Sequence, residues 1–372
     1  MWKKILFACS LLLGIGAVCA IPFLVGFDKT MSAIGAVGIG PIILYVGNAL
    51  LVLIVPAISW TILMRGEGLK VPVSDAIKAN LMGYPLNYIT PSLYLGGEPV
   101  KLIYLSNKHN IAKRRLLATI IVAKFQEVAA IFLASLVALS AFTVQTDYFT
   151  VGIEILLLSG LLVLISLLGL LSAAFVKNWQ ITVKGIDFLG RIGIAKEKMK
   201  RLRVKAAEME HLIHLTFTKR WRTYLLAQTI TLVSALSVFI RPFIYFRFQG
   251  EGMNLGVDHL CAIYVTTNFL NMFTIIPGAM GIFEGGILGY FTATDLGEAN
   301  AVAFTLLNRI ADIFILMVGT WFIIHLGLSG VARKVAKGEE KLKAEDIADA
   351  IHSEEEAIEI EEKAKTGRHD LR

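Results

Sequence analysis

The chain has 372 residues, 56% of them hydrophobic and 17% charged, with a mean hydropathy of +0.67 and a formal net charge of +7. This balance excludes a soluble globular domain and a disordered polar chain. Cys9, Cys19 and Cys261 all sit in apolar runs without metal-ligand or disulfide spacing, so the sequence points to no metal, no cofactor and no disulfide framework.

A bilayer crossing needs about 20 apolar residues, and such runs recur along the chain. Residues 5–27 form the first, preceded by Lys3 and Lys4. This run is longer than the apolar stretch of a signal peptide, so it reads as an uncleaved first helix. Residues 39–64 form the second span. Residues 76–101 are broken by Pro85, Pro91, Gly96, Gly97 and Pro99, and they lie between two basic stretches, 65–78 and 108–115. Positive charge marks the cytoplasmic side, so this segment should enter and leave on one face as a re-entrant pair of half-helices. Residues 118–144 are the third span, carrying Lys124 and Glu127, and 155–176 the fourth.

Residues 177–222 hold 12 basic and 4 acidic residues. Between membrane spans, such a face indicates a cytoplasmic connector attracted to anionic lipid, and no nucleic acid is expected as a partner. Residues 223–246 are the fifth span, with Arg241 read as an outer-interface anchor. Residues 259–291, broken at Pro277, Gly278, Gly281, Gly285, Gly286 and Gly289, form a second re-entrant pair. Residues 299–331 are the last span and contain Arg309 and Asp312. The expected fold is thus an all-α polytopic membrane protein with about six transmembrane helices plus two re-entrant hairpins; eight full spans is the alternative. The domain reading is a membrane domain over 1–335, with repeats at about 39–144 and 223–331, and a charged tail at 336–372. The N-terminus and tail fall on the cytoplasmic side of a prokaryotic inner membrane.

Two stretches share one polar skeleton. Pro91-Ser-Leu-Tyr-Leu-Gly96-Gly97-Glu98 is matched by Pro277-Gly278-Ala-Met-Gly281-Ile-Phe-Glu284, in each case with glutamate seven residues after proline. Each is followed by a helix with a base and an acid three apart, Lys124 with Glu127 and Arg309 with Asp312. Three-residue spacing places both on one helix face. Charge bias runs the first such helix outward and the second inward, which makes the repeat inverted, as in transport proteins. Ionisable groups at membrane depth cost at least ~2.5–3.5 kcal/mol each, so they face one another or a wet cavity. Two readings follow: self-neutralising pairs that lock the bundle, or cations that receive an anionic headgroup. Glu98 and Glu284, at the hairpin tips, are placed to pair with the opposite copy's cation, to couple a proton or to bind a cationic headgroup. The half-helix N-termini favour anions, and the glycines admit a close approach of a headgroup.

At these motifs the chain resembles the flippase-like integral membrane family typified by the transmembrane region of lysylphosphatidylglycerol synthases. Gly96-Gly97-Glu98-Pro-Val-Lys101 is similar to the family's Gly-Gly-Glu-x-x-Arg. Pro277-Gly278-Ala279-Met280-Gly281-Ile-Phe-Glu284 is similar to its Pro-Gly-Gly-Leu-Gly-x-x-Glu, and Arg309 with Asp312 to its Arg-x-x-Asp. Lys stands for Arg at 101 and 124, which weakens bidentate clamping of phosphate, and Ala279 replaces a glycine. The soluble transferase domain of the full-length synthases is absent, so the resemblance implies lipid translocation rather than lysine transfer. The expected function is a lipid flippase moving an anionic or lipid-linked headgroup. The alternative is a lipid-modifying enzyme or accessory subunit in an aminoacyl-phospholipid, polyprenyl-sugar or hopanoid pathway. The expected substrate-binding set is Gly96, Gly97, Glu98, Lys101, Lys124, Glu127, Pro277, Gly278, Gly281, Glu284, Arg309 and Asp312. Besides a membrane lipid, the protein partners considered are a second copy of the chain or a lipid-biosynthesis protein.

Overall fold

The computed structural model describes residues 28, 31–32, 35, 37–90, 95–145, 151–191, 196–248, 255–272 and 277–326. The expected first span at 5–27, the tail at 336–372 and Pro91 lie outside the described residues. Among these residues every regular element is helical. In chain order they are α1 (Ile39–Gly66), α2 (Val73–Ile89), α3 (Glu98–His109), α4 (Lys113–Gln145), α5 (Val151–Val176), α6 (Ile181–Arg191) and α7 (Lys196–Thr218). There follow α8 (Trp221–Ser237), α9 (Ile240–Phe248), α10 (Val257–Met272), α11 (Ile282–Ala293) and α12 (Glu298–His325), with a single 3-10 turn, Pro277–Ala279, before α11. Among the described residues, four helical stretches are long and apolar enough to cross a membrane: α1, residues Lys113–Ala138 of α4, Trp221–Phe248 across α8 and α9, and α12.

These helices are built for an apolar solvent. In α12, Ile313, Met317, Trp321 and Ile324 are exposed at helical spacing, whereas Asn308, Arg309, Ile315 and Gly319 are buried. The polar face turns inward because lipid gives no reward for hiding Ile or Leu, while buried polar groups find partners on neighbouring helices. Short polar side chains join α1 to α8: Ser59 donates to the Ala227 carbonyl at 2.8 Å and receives Thr231 at 2.8 Å, and Asn48 donates to the Ser237 carbonyl at 3.0 Å.

α2 and α3 form a hairpin. Their 17 and 12 residues give lengths of about 25 and 18 Å, short of the ~30 Å hydrocarbon core. Asp75, in the first turn of α2, takes Lys108 Nζ at 2.7 Å and His109 Nε2 at 2.9 Å from the last turn of α3. The segment therefore starts and finishes at one place. Further along, Gly97 touches Gly83 so closely that a Cβ on Gly97 would lie 2.1 Å from the Gly83 carbonyl oxygen. The second hairpin, α10 and α11, is tied at its open end by His259 and Tyr290, 3.2 Å apart, and Leu270 lies over Gly286.

Pro85, expected to break the segment, lies inside α2, which continues through it to Ile89. A helical proline frees the carbonyl four residues earlier, here that of Leu81. Gly319 of α12 packs directly on that oxygen and on the Pro85 ring, and a Cβ there would come within 2.3 Å of Leu81 O. Neighbouring structure thus accommodates the interruption. Pro56 in α1 is treated alike: the carbonyl it frees, Val52 O, faces Ser234 Oγ at 3.5 Å.

The repeat extends beyond the motifs. Pro56 and Pro242, Pro91 and Pro277, and Glu98 and Glu284 are each 186 residues apart. Helices α1, α2, α3 and α4 correspond in order to α8 with α9, α10, α11 and α12. Packing exchanges partners between the copies: α2 lies on α12 and α10 lies on α4, while α1 pairs with α8.

Candidate functional site

The first ion cluster gathers on α3 and α4. Glu98 opens α3, and Lys101 stands one turn later, its Nζ 3.1 Å from Glu98 Oε1. Lys124 reaches the same oxygen at 3.2 Å and Glu127 Oε2 at 2.7 Å. Two acids and two bases make the cluster neutral. All four line a narrow cleft with about 10 Å³ of free space, room for about one water, together with Pro56 and Trp60 of α1, Asn80 of α2, and Ile120 and Ala123 of α4. The cleft lies within the first copy rather than where the two hairpins meet. The meeting place is filled by two tyrosines.

Those tyrosines belong to the second cluster. Arg309 on α12 donates Nε to Glu284 Oε1 at 2.6 Å, and Nη1 to the Tyr88 hydroxyl and the Gly278 carbonyl, each at 2.9 Å. Nη2 also lies 2.6 Å from Glu284 Oε1, and Asp312 Oδ2 is 3.4 Å from Nη1. Tyr84, one turn before Tyr88 on α2, donates to Asp312 Oδ1 at 2.8 Å. The first hairpin is thereby bolted to the second copy's charged helix. Arg241, expected as an outer anchor, donates to Asn48 at 3.0 Å and lies over the buried Tyr45 ring. Glu284 and Asp312 both pair with Arg309.

Glu98 and Glu284 each pair with their own copy's cation, which settles one of the alternatives left open by the sequence. The motif glycines make close approaches to the chain itself. A Cβ on Gly96 would meet Thr90 and the Leu86 carbonyl, and one on Gly278 would sit 2.4 Å from the Tyr88 ring. Gly97 N–H is bound by Asn87 Oδ1 at 2.6 Å. The N-terminus of α11, an expected anion site, is capped internally, since Gly281 N–H donates to Glu284 Oε2 at 2.7 Å. Pro277 begins the 3-10 turn, within which Gly278 has φ 60°. Ala279 is buried at φ 50°, a left-handed conformation that explains why a glycine suits this position.

Tyr84 and Trp60 gain site roles only from the fold, whereas Tyr88 is a neutral hydrogen-bonding group near the motifs in the sequence as well. Tyr84 and Tyr88 share a helix face by spacing, but nothing local connects them to residues more than 220 positions later. Asn80 joins α2 to α1 by donating to the Leu53 carbonyl, whereas Asn268 and Asn308 donate within their own helices to the carbonyls of Tyr264 and Phe304.

At the open end of the first hairpin, outside the spans, burial opposes the Asp75 carboxylate. The hydrogen bonds from Lys108 and His109, with the charges of Lys108 and Lys78, outweigh it and hold its pKa below the usual value. The bond to Asp75 in turn holds Lys108 above the ordinary lysine value, against the opposing effect of burial.

Fold and site together define an integral, multi-pass, all-α membrane protein with a duplicated charged core. A family model described as the lysylphosphatidylglycerol synthase TM region matches residues 8–319, and the chain belongs to that family. It is similar to a UPF0104 membrane protein of Pyrococcus horikoshii, 22% identical over 316 residues that cover 82% of this chain and 92% of the relative. A UPF0104 membrane protein of Methanocaldococcus jannaschii is 22% identical over 297 residues, 79% of this chain and 87% of the relative. One from Methanothermobacter thermautotrophicus is 21% identical over 348 residues, covering 90% and 97%. No solved structure matches the chain significantly.

Proposed function

We propose that this chain is a secondary lipid transporter, a flippase that carries a phosphate-bearing headgroup across a prokaryotic inner membrane while the tails stay in lipid. The observation that carries this reading is the cleft in which Lys101 and Lys124 stand beside Glu98 and Glu127. A charged pocket walled by membrane helices costs insertion energy, and it is retained where a polar ligand must enter. The duplicated hairpins, each backed by a charged helix, are the framework of alternating access. In one copy the lysines line a narrow cleft, while the other's cation is closed in by Tyr88 and Gly278. Transport would exchange those roles. An odd number of crossings between the copies, with α5 as the added span, would invert the second relative to the first. The basic connector and the two termini would then lie in the cytoplasm.

The test is reconstitution in liposomes with lipids fluorescent at the acyl chain. Lys124→Gln keeps the shape of the cleft mouth and removes its cation. Lipid exchange between leaflets should collapse in this variant while it remains folded in detergent. Undiminished exchange in the folded variant would remove the cleft from the mechanism.

A further inference from the structure

The geometry points to a headgroup of zero net charge, a phosphate monoanion joined to an ammonium, as the ligand of the first cleft, with Glu127 as the residue that selects it; this rests on the transport reading above. The exposure of the four charged side chains is graded. Lys101 and Glu98 are 7% and 11% exposed, Lys124 20% and Glu127 28%. An entering headgroup therefore meets Glu127 and Lys124 first. Glu127 holds Lys124 at 2.7 Å while Glu98 Oε1 is shared by Lys101 and Lys124. The carboxylate of Glu127 thus occupies the place on Lys124 that a phosphate oxygen would take.

Charge conservation decides what can replace it. The quartet sums to zero, and a confined charge without a counter-charge is strongly disfavoured away from bulk water. A phosphate diester that displaces Glu127 from Lys124 leaves Glu127 unpaired and the cleft at minus one. A headgroup with an ammonium a few bonds from its phosphate repairs this: phosphate takes Lys124 and Lys101, and ammonium takes the freed Glu127. The cleft stays neutral throughout, and binding needs no accompanying ion. Asn80 and the Trp60 ring line the same space, and the amide oxygen of Asn80 can accept from an ammonium. The second cluster is not available for this exchange, because Arg309 is already held by Glu284, Tyr88 and Gly278.

Proteoliposomes carrying the full chain would be loaded with one of three acyl-labelled lipids. These are phosphatidylethanolamine, phosphatidylglycerol, and phosphatidylethanolamine with its amine acetylated. Wild-type protein should move phosphatidylethanolamine at least about tenfold faster than either net-anionic lipid, the ratio corresponding to one ion pair of ~1.4 kcal/mol. Glu127→Gln should bring that ratio close to one, with phosphatidylglycerol moving faster than in wild type. Independently of transport, glycerophosphoethanolamine should raise the unfolding temperature of the detergent-purified wild type more than glycerophosphoglycerol does. Movement of phosphatidylglycerol or the acetylated lipid as fast as phosphatidylethanolamine would overturn the zwitterion assignment and leave the flippase reading standing. An unchanged ratio in folded Glu127→Gln would overturn the role given to Glu127. No movement of any lipid, with no stabilisation by either soluble headgroup, would overturn both readings together.

Discussion

Gly97→Ala is the sharpest perturbation of the architecture. A Cβ at Gly97 would lie 2.1, 2.6 and 2.7 Å from the oxygen, carbonyl carbon and Cα of Gly83. All three are backbone atoms, so no side chain can swing aside; α2 and α3 must separate. Forced overpacking costs about 1–3 kcal/mol. The same displacement stretches the 2.6 Å bond from Gly97 N–H to Asn87, adding about 1 kcal/mol. The total is ~2–4 kcal/mol, and the shift is transmitted directly to Glu98, the next residue, and so to the cleft. Gly285, which follows the equivalent Glu284, provides the control. It is exposed within α11, and an added Cβ meets nothing within 4 Å. Gly285→Ala should be neutral or stabilising by up to about 1 kcal/mol, the helix-propensity difference. Unfolding in detergent, followed by circular dichroism, reads both variants. Equal stability of Gly97→Ala and wild type, or equal damage by the two variants, would refute the hairpin packing.

Tyr88→Phe removes a hydroxyl that accepts from Arg309 at 2.9 Å. It should cost about 1.5–3 kcal/mol, the range for a bond to a charged group, in the same unfolding assay. Gly281 has φ 81° and Ala279 φ 50°. Gly281→Ala should destabilise by about 1–2 kcal/mol, while Ala279→Gly should be tolerated, because only the first forces a side chain into the left-handed region. The Asp75 clasp sets a pH dependence. A depressed carboxylate pKa contributes stability that is fully present above the unfolded value of about 3.9 and is lost as pH falls through the lower folded value. Stability should therefore be retained at pH 5 and fall below about pH 4, a fall that Asp75→Asn should diminish. Lys108, raised by the same bond, contributes stability that is present below about pH 10.4 and lost only above it.

Much of the fold is legible because membrane helices obey length and composition. The apolar runs at 39–64 and 299–331 are helices α1 and α12, although the latter's last five residues lie outside the described ones. The spacing of Glu98 to Lys124 and of Glu284 to Arg309, 26 and 25 residues, carried real pairing information, since each pair is in contact. The glycines were harder to interpret. A run such as Gly96-Gly97 announces that something approaches the backbone, but not whether the visitor is a ligand or the chain itself; here it is Gly83, Thr90 and Leu86. Arg241 misled because it follows an apolar run, where snorkelling to the interface is the usual behaviour. The turn between α8 and α9 redirects it toward Asn48, and a turn of two residues leaves little trace in composition. Long-range contacts such as Tyr84 with Asp312 depend on how the copies pack, which single-helix periodicity does not encode.

The most direct test is leaflet exchange by the wild-type protein in unilamellar vesicles, using an acyl-labelled lipid and a membrane-impermeant reductant added outside. Inner-leaflet label should become reducible in vesicles that contain the protein, while protein-free vesicles keep theirs protected. Protection that persists in vesicles containing folded protein, for every headgroup tried, would contradict lipid transport by this chain.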